Sequence, residues 1–324
     1  MAKKKALNIK QRGSFRADLA YLSMLLPGLA FMFCFNYLPM PAIIMAFKRY
    51  GLAPVPKDFP IQNPFIYSLF VENPWVGLQN FQFLIRTPSM GDYVRNTVGY
   101  NLIFMVVGTV VAVAIAIGVN ELRNRLAAKF YHTVIFLPYF LSWIIASYVV
   151  YAFLSTNGIM NNLLVSFGGA TVDWYRTPRY WPFILIFANV WKHSGYSSIL
   201  YLSTLTGFDQ EVYESAAIDG ATKWQQIRYI TVPLLTPMIV LLQILAVGRI
   251  FGSEFDMFYS LPNGSGPLAK VTTTIDVFVY NALRTGAQLG LPSAASFFQA
   301  VVGFVLVLTT NFIVRRFDAD MALF

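Results

Sequence analysis

The sequence predicts an all-α integral membrane protein with six spans and both termini on the cytoplasmic side. Three observations carry that prediction. Of the 324 residues, 56% are hydrophobic and only 12% charged, where an average soluble domain has about 25% charged residues. Six apolar runs, approximately 20–47, 97–119, 133–154, 181–205, 232–251 and 294–314, are long enough for a hydrocarbon core about 30 Å thick, which takes roughly 20 helical residues. Finally, Lys and Arg gather at alternate ends of these runs, which orients them.

The N-terminal tail, 1–18, carries Lys3, Lys4, Lys5, Lys10, Arg12 and Arg16. The apolar run after it is too long for a signal-peptide core and lacks a small-residue cleavage pattern, so it reads as a retained first span. Pro27, Pro39 and Pro41 predict that its regular helix kinks or ends near Asn36. The loop after the second run has Arg123, Arg125 and Lys129, and the last run ends in Arg315 and Arg316. With six spans these basic groups share one side, the cytoplasm, with residues 317–324 as a short tail. The connections at 48–96, 155–180 and 252–293 then face outward. They are rich in Pro, Asn, Gly and aromatics, which suits folded caps.

The net charge of +9 sits mostly at run ends, so topology explains it better than nucleic-acid binding does. Cys34 is the only cysteine, which excludes an intramolecular disulfide and a cysteine metal cluster.

Between the fourth and fifth runs lies a polar insert, 208–231, with Glu211, Glu214, Asp219, Lys223 and Arg228. Asp209 suits an N-cap, with Glu211 and Glu214 near the positive helix end. Gly220 suits a left-handed stop, and Thr222 with Gln225 a capping box for a second helix. Pro233 falls in the first turn of the fifth span, where its missing N–H costs little. The insert therefore reads as a helix of about 10 residues, roughly 15 Å long, a glycine turn, and a second helix that feeds the membrane. It either buttresses the protein's own span ends or docks on a soluble partner.

The residues of this insert resemble the signature loop of binding-protein-dependent ABC importer permeases. In that pattern Glu-Ala-Ala is followed by three residues, a Gly, nine residues and Ile-x-Leu-Pro. Here Glu214, Ser215 and Ala216 fill the first positions, Gly220 has the right offset, and Ile230, Thr231, Val232 and Pro233 close it. Ser215 for Ala and Val232 for Leu are mild departures. The core Asp219-Gly220-Ala221 is similar to the carbohydrate branch. The stretches "LLPGLAFMFCFNYLPMPAIIMAFKRY" (25–50), "NVWKHSGYSSILYLSTLTGFDQEVYE" (189–214) and "NFIVRRFDADMALF" (311–324) resemble permeases for polygalacturonan and alginate oligosaccharides, so the resemblance covers nearly the whole chain.

The resemblance implies a type I ABC importer permease fold over 19–316, in a bacterial inner membrane. It implies a second homologous permease, two ATPase subunits, an external solute-binding protein and an oligosaccharide cargo, acidic by analogy with those permeases. The insert would be the ATPase-coupling helix, with Glu214, Ser215, Ala216, Asp219, Gly220 and Ala221 at the contact. The chain has no G-x-x-x-x-G-K-[ST] sequence, so ATP and its magnesium belong to the partner ATPases, and this chain is expected to bind no cofactor and catalyse no reaction.

Ionisable groups inside spans cost roughly 2.5–3.5 kcal/mol each on insertion scales. That singles out Lys192, His193 and Arg249, with Glu254 and Asp256 just beyond. Trp191, Tyr196, Tyr148 and Tyr151 lie near them in sequence, and aromatic faces with polar groups suit sugars. These residues line a substrate path, or they serve structure: aromatics as interfacial belts, Lys192 and Arg249 as ion-pair partners of Glu254 or Asp256. Asn36, Asn189 and Asn311 read as interhelical hydrogen-bonding residues.

Two rival functions are weighed against import. A secondary carrier or channel would more often show inverted repeats and has no use for a coupling loop. An intramembrane enzyme would need a catalytic constellation, and the sequence has no H-E-x-x-H, no G-x-S-x-G and only two histidines, His132 and His193.

Overall fold

The computed structural model describes residues 15–51, 54–122, 124–285, 289–317 and 322. Most of the basic N-terminal tail, Arg123 and nearly all of the C-terminal tail fall outside the described residues. Among the described residues the chain is helical, apart from one isolated bridge between Lys48 and Trp75. The principal helices are α1 (Phe15–Met32), α2 (Met90–Asn120), α3 (Arg125–Phe136), α4 (Trp143–Leu154), α5 (Trp181–Leu205), α6 (Gln210–Ile218), α7 (Val232–Val247), α8 (Phe255–Ser260), α9 (Ile275–Arg284) and α10 (Gly290–Phe317).

Among the described residues five helical stretches are long and apolar enough to cross a membrane: Tyr21–Phe47, Met90–Asn120, Trp143–Ser166, Lys223–Val247 and Gly290–Arg316. The first loses regular α geometry after Met32, as its prolines predict, and continues as a π turn (Phe33–Tyr37) and a 3₁₀ stretch (Met40–Phe47). The expected fourth span is α5. It has 25 residues, so length is ample, but it falls outside this apolar set. Ten of its residues are buried in protein, among them Asn189, Lys192, Ser194, Gly195 and Ser198. A helix that faces protein over so much of its surface need not be apolar all round.

The direction of α2 fixes the two ends of the bundle. At its start Asn96 donates to the carbonyls of Lys270 and Thr273 (3.0 and 2.9 Å), and Thr97 Oγ1 accepts from the Ile275 amide at 3.0 Å. Just past its end Glu121 pairs with Lys223 at 3.0 Å. The loop 208–231 therefore lies at one end, and α8, α9 and the turns between them at the other. α2 packs mainly on α5. Ala112 and Ala116 let the backbones approach there, against Tyr201, Leu205 and Leu235.

Two expected spans are interrupted. The run 133–154 is not one helix: α3 stops at Phe136, Pro138 starts a 3₁₀ turn over Leu137–Phe140, and α4 restarts after the Ser142 N-cap. The chain is extended at Leu141 and Ser142, so no continuing helix supplies amides to the carbonyls of Tyr139 and Leu141, which are left to find other donors. Lys192 supplies them. Its side chain is buried, and Nζ donates to Tyr139 O at 3.0 Å and to Leu141 O, with the Tyr139 and Trp143 rings 5.8 and 5.3 Å away. The run 232–251 is also shorter than expected, because α7 ends at Val247 and the chain turns through 248–254. Asn101 Nδ2 donates to Ile250 O and Gly252 O (3.0 and 2.6 Å), and Gln299 Nε2 to Phe251 O (2.6 Å).

Two close crossings depend on glycine. A Cβ at Gly195 of α5 would fall on the Ile135 carbonyl and on Phe136 of α3, and one at Gly303 of α10 on the Gly248 carbonyl. Overpacking of this kind costs about 1–3 kcal/mol. Gly303→Val should therefore lower the unfolding midpoint of the purified protein in detergent, while Gly118→Ala, where an added Cβ meets nothing within 4 Å, leaves it unchanged. Lys192→Met removes the donor from two carbonyls, and each buried acceptor left unpaired costs about 1–3 kcal/mol. The same melting measurement should show a drop for Lys192→Met. An unchanged midpoint would mean that the Lys192 contacts do not support the fold.

Candidate functional site

Two features stand out. The first is a cleft of about 630 Å³ between α2, α5 and α7, a volume ordinary for a small-ligand site. Its polar lining comes from Asn101 and Thr109 of α2, Asn189, His193, Ser194 and Ser197 of α5, Gln243 of α7, and Arg249 and Glu254 from the turn beyond α7. Gln243 Nε2 donates to Thr109 Oγ1 at 2.5 Å and so ties α7 to α2 across the cleft. Arg249 sits where α7 has just ended. The hydrogen bonds of Asn101 to Ile250 and Gly252 hold that turn in place. Glu254 is fixed by Trp143, whose Nε1 donates to Oε1 at 2.8 Å, and His193 Nε2 is 3.6 Å from the same oxygen. Arg249 lines the cleft, and among the described residues it has no carboxylate within ion-pair distance.

Of the residues that sequence singles out for a path, the cleft brings together His193 and Arg249, with Glu254 beside them. Lys192 points instead to the broken helix, bonded to backbone carbonyls and not to Glu254 or Asp256. Tyr196 stacks on Tyr139 with ring centres 4.4 Å apart. Trp191 borders a separate apolar groove with Phe183, Phe187 and Val149. Tyr151 packs near Tyr175 at 5.6 Å; Tyr175 lies outside the spans, and burial pushes its phenol up to about 12. Tyr148 is exposed at the far end of the bundle. Asn189 lines the cleft and Asn36 lies in the π turn of the first stretch. The residues that sequence reasoning missed are Asn101, Gln243 and Gln299, polar groups inside otherwise apolar runs. Their position alone was the available signal, since each needs a hydrogen-bond partner there.

The second feature is the loop at the opposite end. The Asp209 side chain caps α6 by accepting from the Glu211 amide at 3.0 Å. The helix closes on Gly220, with φ +83°, where the Gly220 amide bonds to Ala217 O (3.1 Å) and the Ala221 amide to Ala216 O (2.9 Å). This is the pairing of a Schellman stop. The capping box of Thr222 and Gln225 then starts the helix Lys223–Gln226, which runs through a π turn (Ile227–Thr231) into α7. Tyr213 and Thr231 hydroxyls meet at 3.2 Å, Gln226 donates to Tyr213 O at 3.4 Å, and Lys223 reaches Glu121. The loop is thus built onto α2 and α7. Glu214, Ser215, Asp219 and Gly220 are exposed, with Ala216 and Ala221 half-buried. Ile218 is 86% exposed and Trp224 69% exposed.

The chain matches the family described as "Binding-protein-dependent transport system inner membrane component" over residues 105–323. It is 31% identical, over 92% of its length and 88% of the relative's, to the polygalacturonan/rhamnogalacturonan transport system permease protein YteP of Bacillus subtilis (strain 168). It is similar to a solved chain of a bacterial ABC transporter involved in the import of the acidic polysaccharide alginate, with TM-score 0.80 and 29% identity over 94% of this chain and 97% of that one. A chain of the bacterial alginate ABC transporter in complex with its alginate pentasaccharide-bound periplasmic protein gives TM-score 0.79 and 29% identity, covering 93% of this chain and 96% of that one. The fold and the multi-pass membrane character agree with these relatives, and the chain belongs to the inner-membrane permease family of binding-protein-dependent transport systems.

Proposed function

We propose that this permease passes an acidic, uronate-containing oligosaccharide from an external solute-binding protein to the cytoplasm, through the cleft between α2, α5 and α7. The observation that carries the reading is Arg249, a cation in the cleft with no carboxylate partner among the described residues. A charged group in a span is retained where it faces a water-filled cavity or a ligand. A guanidinium offers a planar fork that matches a carboxylate. Amides and hydroxyls of Asn101, Asn189, Ser197 and Gln243 suit sugar hydroxyls. The names of the relatives, for polygalacturonan/rhamnogalacturonan and alginate, support the same substrate class.

Import of this kind takes its energy from ATPase subunits on the cytoplasmic side. In this reading α6 docks on one of them with Glu214 against a basic residue and with Ile218 and Trp224 buried on contact. The partners are a second homologous permease, two ATPases and a solute-binding protein, and the membrane is the bacterial inner membrane. Closure of the ATPases would move the bundle between inward- and outward-open states as a rigid-body switch.

Glu214→Lys should leave the chain inserted and folded, because the side chain is exposed, and should reduce co-purification of the ATPase by reversing a charge at the contact. Gly220→Val should do the same through the backbone, since φ +83° is a strained conformation for a β-branched residue. Wild-type yield of ATPase with Glu214→Lys, and unchanged uptake, would sink the coupling assignment. In the reconstituted four-component complex, uronate oligosaccharide with its binding protein should stimulate ATP hydrolysis. A carrier or channel would show no such stimulation. Arg249→Gln should reduce uptake of acidic oligosaccharide about tenfold or more, for a lost charge-assisted contact, with ATPase assembly intact and neutral sugars less affected. Equal loss for both sugars would remove Arg249 from charge recognition.

A further inference from the structure

A second cavity, of about 560 Å³, opens at the end of the bundle away from the coupling loop. It lies between α4, α8, α9 and the turn 261–266. Tyr148 of α4 and Tyr259 of α8 supply aromatic faces, Asn263 and Asn281 supply amides, and Arg284 in the last turn of α9 supplies a guanidinium. Arg284 Nη1 donates to the Tyr259 hydroxyl at 3.1 Å, so the cation is held against the aromatic wall. Among the described residues no carboxylate lies within ion-pair distance of it.

The turn that closes this cavity is built, not incidental. Asn263 and Gly264 take φ +50° and +67°, the left-handed pair of a tight turn. Ser265 Oγ anchors the turn by donating to Tyr175 O at 2.6 Å. Behind it Phe258, Leu261 and Leu268 belong to the main buried core. The wall is therefore rigid, and polar groups converge on a cavity of ligand size.

We propose that this cavity is an outer uronate subsite, which receives a sugar carboxylate on Arg284 while its ring faces rest on Tyr148 and Tyr259. The inference rests on the acidic-oligosaccharide reading and adds a length dependence to it. α8 joins the two cavities: Glu254, just before its first residue, lines the inner cleft, and Phe258, Tyr259 and Ser260 line the outer one. Its six residues span about 9 Å. A saccharide of several units reaches both Arg284 and Arg249, whereas a short one occupies one cavity at a time. Arg284 thus selects for longer acidic chains.

The test is uptake by the complete reconstituted complex of hexagalacturonate, digalacturonate and maltohexaose, for wild type, Arg284→Gln and Arg284→Lys. The proposal expects Arg284→Gln to lower hexagalacturonate uptake about tenfold, the scale of one charge-assisted contact. Digalacturonate should fall far less, maltohexaose should be unchanged, and Arg284→Lys should recover part of the loss. Equal loss of all three sugars overturns it in favour of a structural or docking role for Arg284. Unchanged hexagalacturonate uptake overturns it directly, with the acidic reading intact. A wild-type complex that carries maltohexaose and neither galacturonate overturns the acidic reading and this subsite together.

Discussion

The architecture depends on one constraint: a helix that stops where other helices pack around it frees backbone groups that must find partners within the protein. This permease stops two helices, after Phe136 and after Val247, and answers each break with a side chain from another helix. Lys192 reaches the carbonyls of Tyr139 and Leu141, while Asn101 and Gln299 reach those of Ile250, Gly252 and Phe251. The two breaks also meet. Trp143, the first residue after one, donates to Glu254 at the end of the other, and His193 lies beside the same carboxylate. Consecutive residues of α5, Lys192 and His193, therefore serve both breaks. The cleft is where they converge, and its charged lining is there because the helices end there.

That constraint explains why α5, which falls outside the apolar set, is still the helix on which α2 mainly packs. Its polar residues face protein, so lipid does not select against them, and a hydropathy criterion that assumes lipid on all sides does not register it. It also resolves what an ammonium does in a span. Lys192 is buried with neutral carbonyls and two aromatic faces around it, an environment that solvates the cation without a direct salt bridge. Sequence reasoning searched for a carboxylate partner because side chains are what a sequence displays. The carbonyls of a broken helix are invisible in it, although Pro138 marked where they would be.

The loop 208–231 was legible for the opposite reason. Asp209, Gly220, Thr222 with Gln225, and Pro233 act on backbone groups within a few residues of themselves. Caps and stops of this kind depend on local geometry alone, so their pattern in the sequence is their structure. Five of the expected spans were legible as apolar runs, although the second helix starts earlier than its run, at Met90. The cleft was legible only in part. Arg249 and His193 stood out by charge, but Asn101, Gln243 and Gln299 acquire their roles from helices far away in the chain. Tyr196 and Tyr151 have aromatic neighbours that only packing reveals.

The two features are joined by a single continuous path. From Gly220 the chain runs through the capped turn and the π turn Ile227–Thr231 into α7, whose 16 residues extend about 24 Å to the break that carries Arg249. A π turn and two prolines, Pro233 and Pro237, leave the lower part of that path with fewer regular hydrogen bonds than an uninterrupted helix, and such points are where helices bend. The upper part is held by Gln243 on Thr109 and by the close crossing of Gly248 with Gly303. Displacement of the loop therefore has a compliant entry and a braced exit. If α6 docks on an ATPase as proposed, that arrangement would let it follow the partner while the motion reaches the cleft as a shift of α7 against α2, changing the spacing of Arg249 from the amides opposite it.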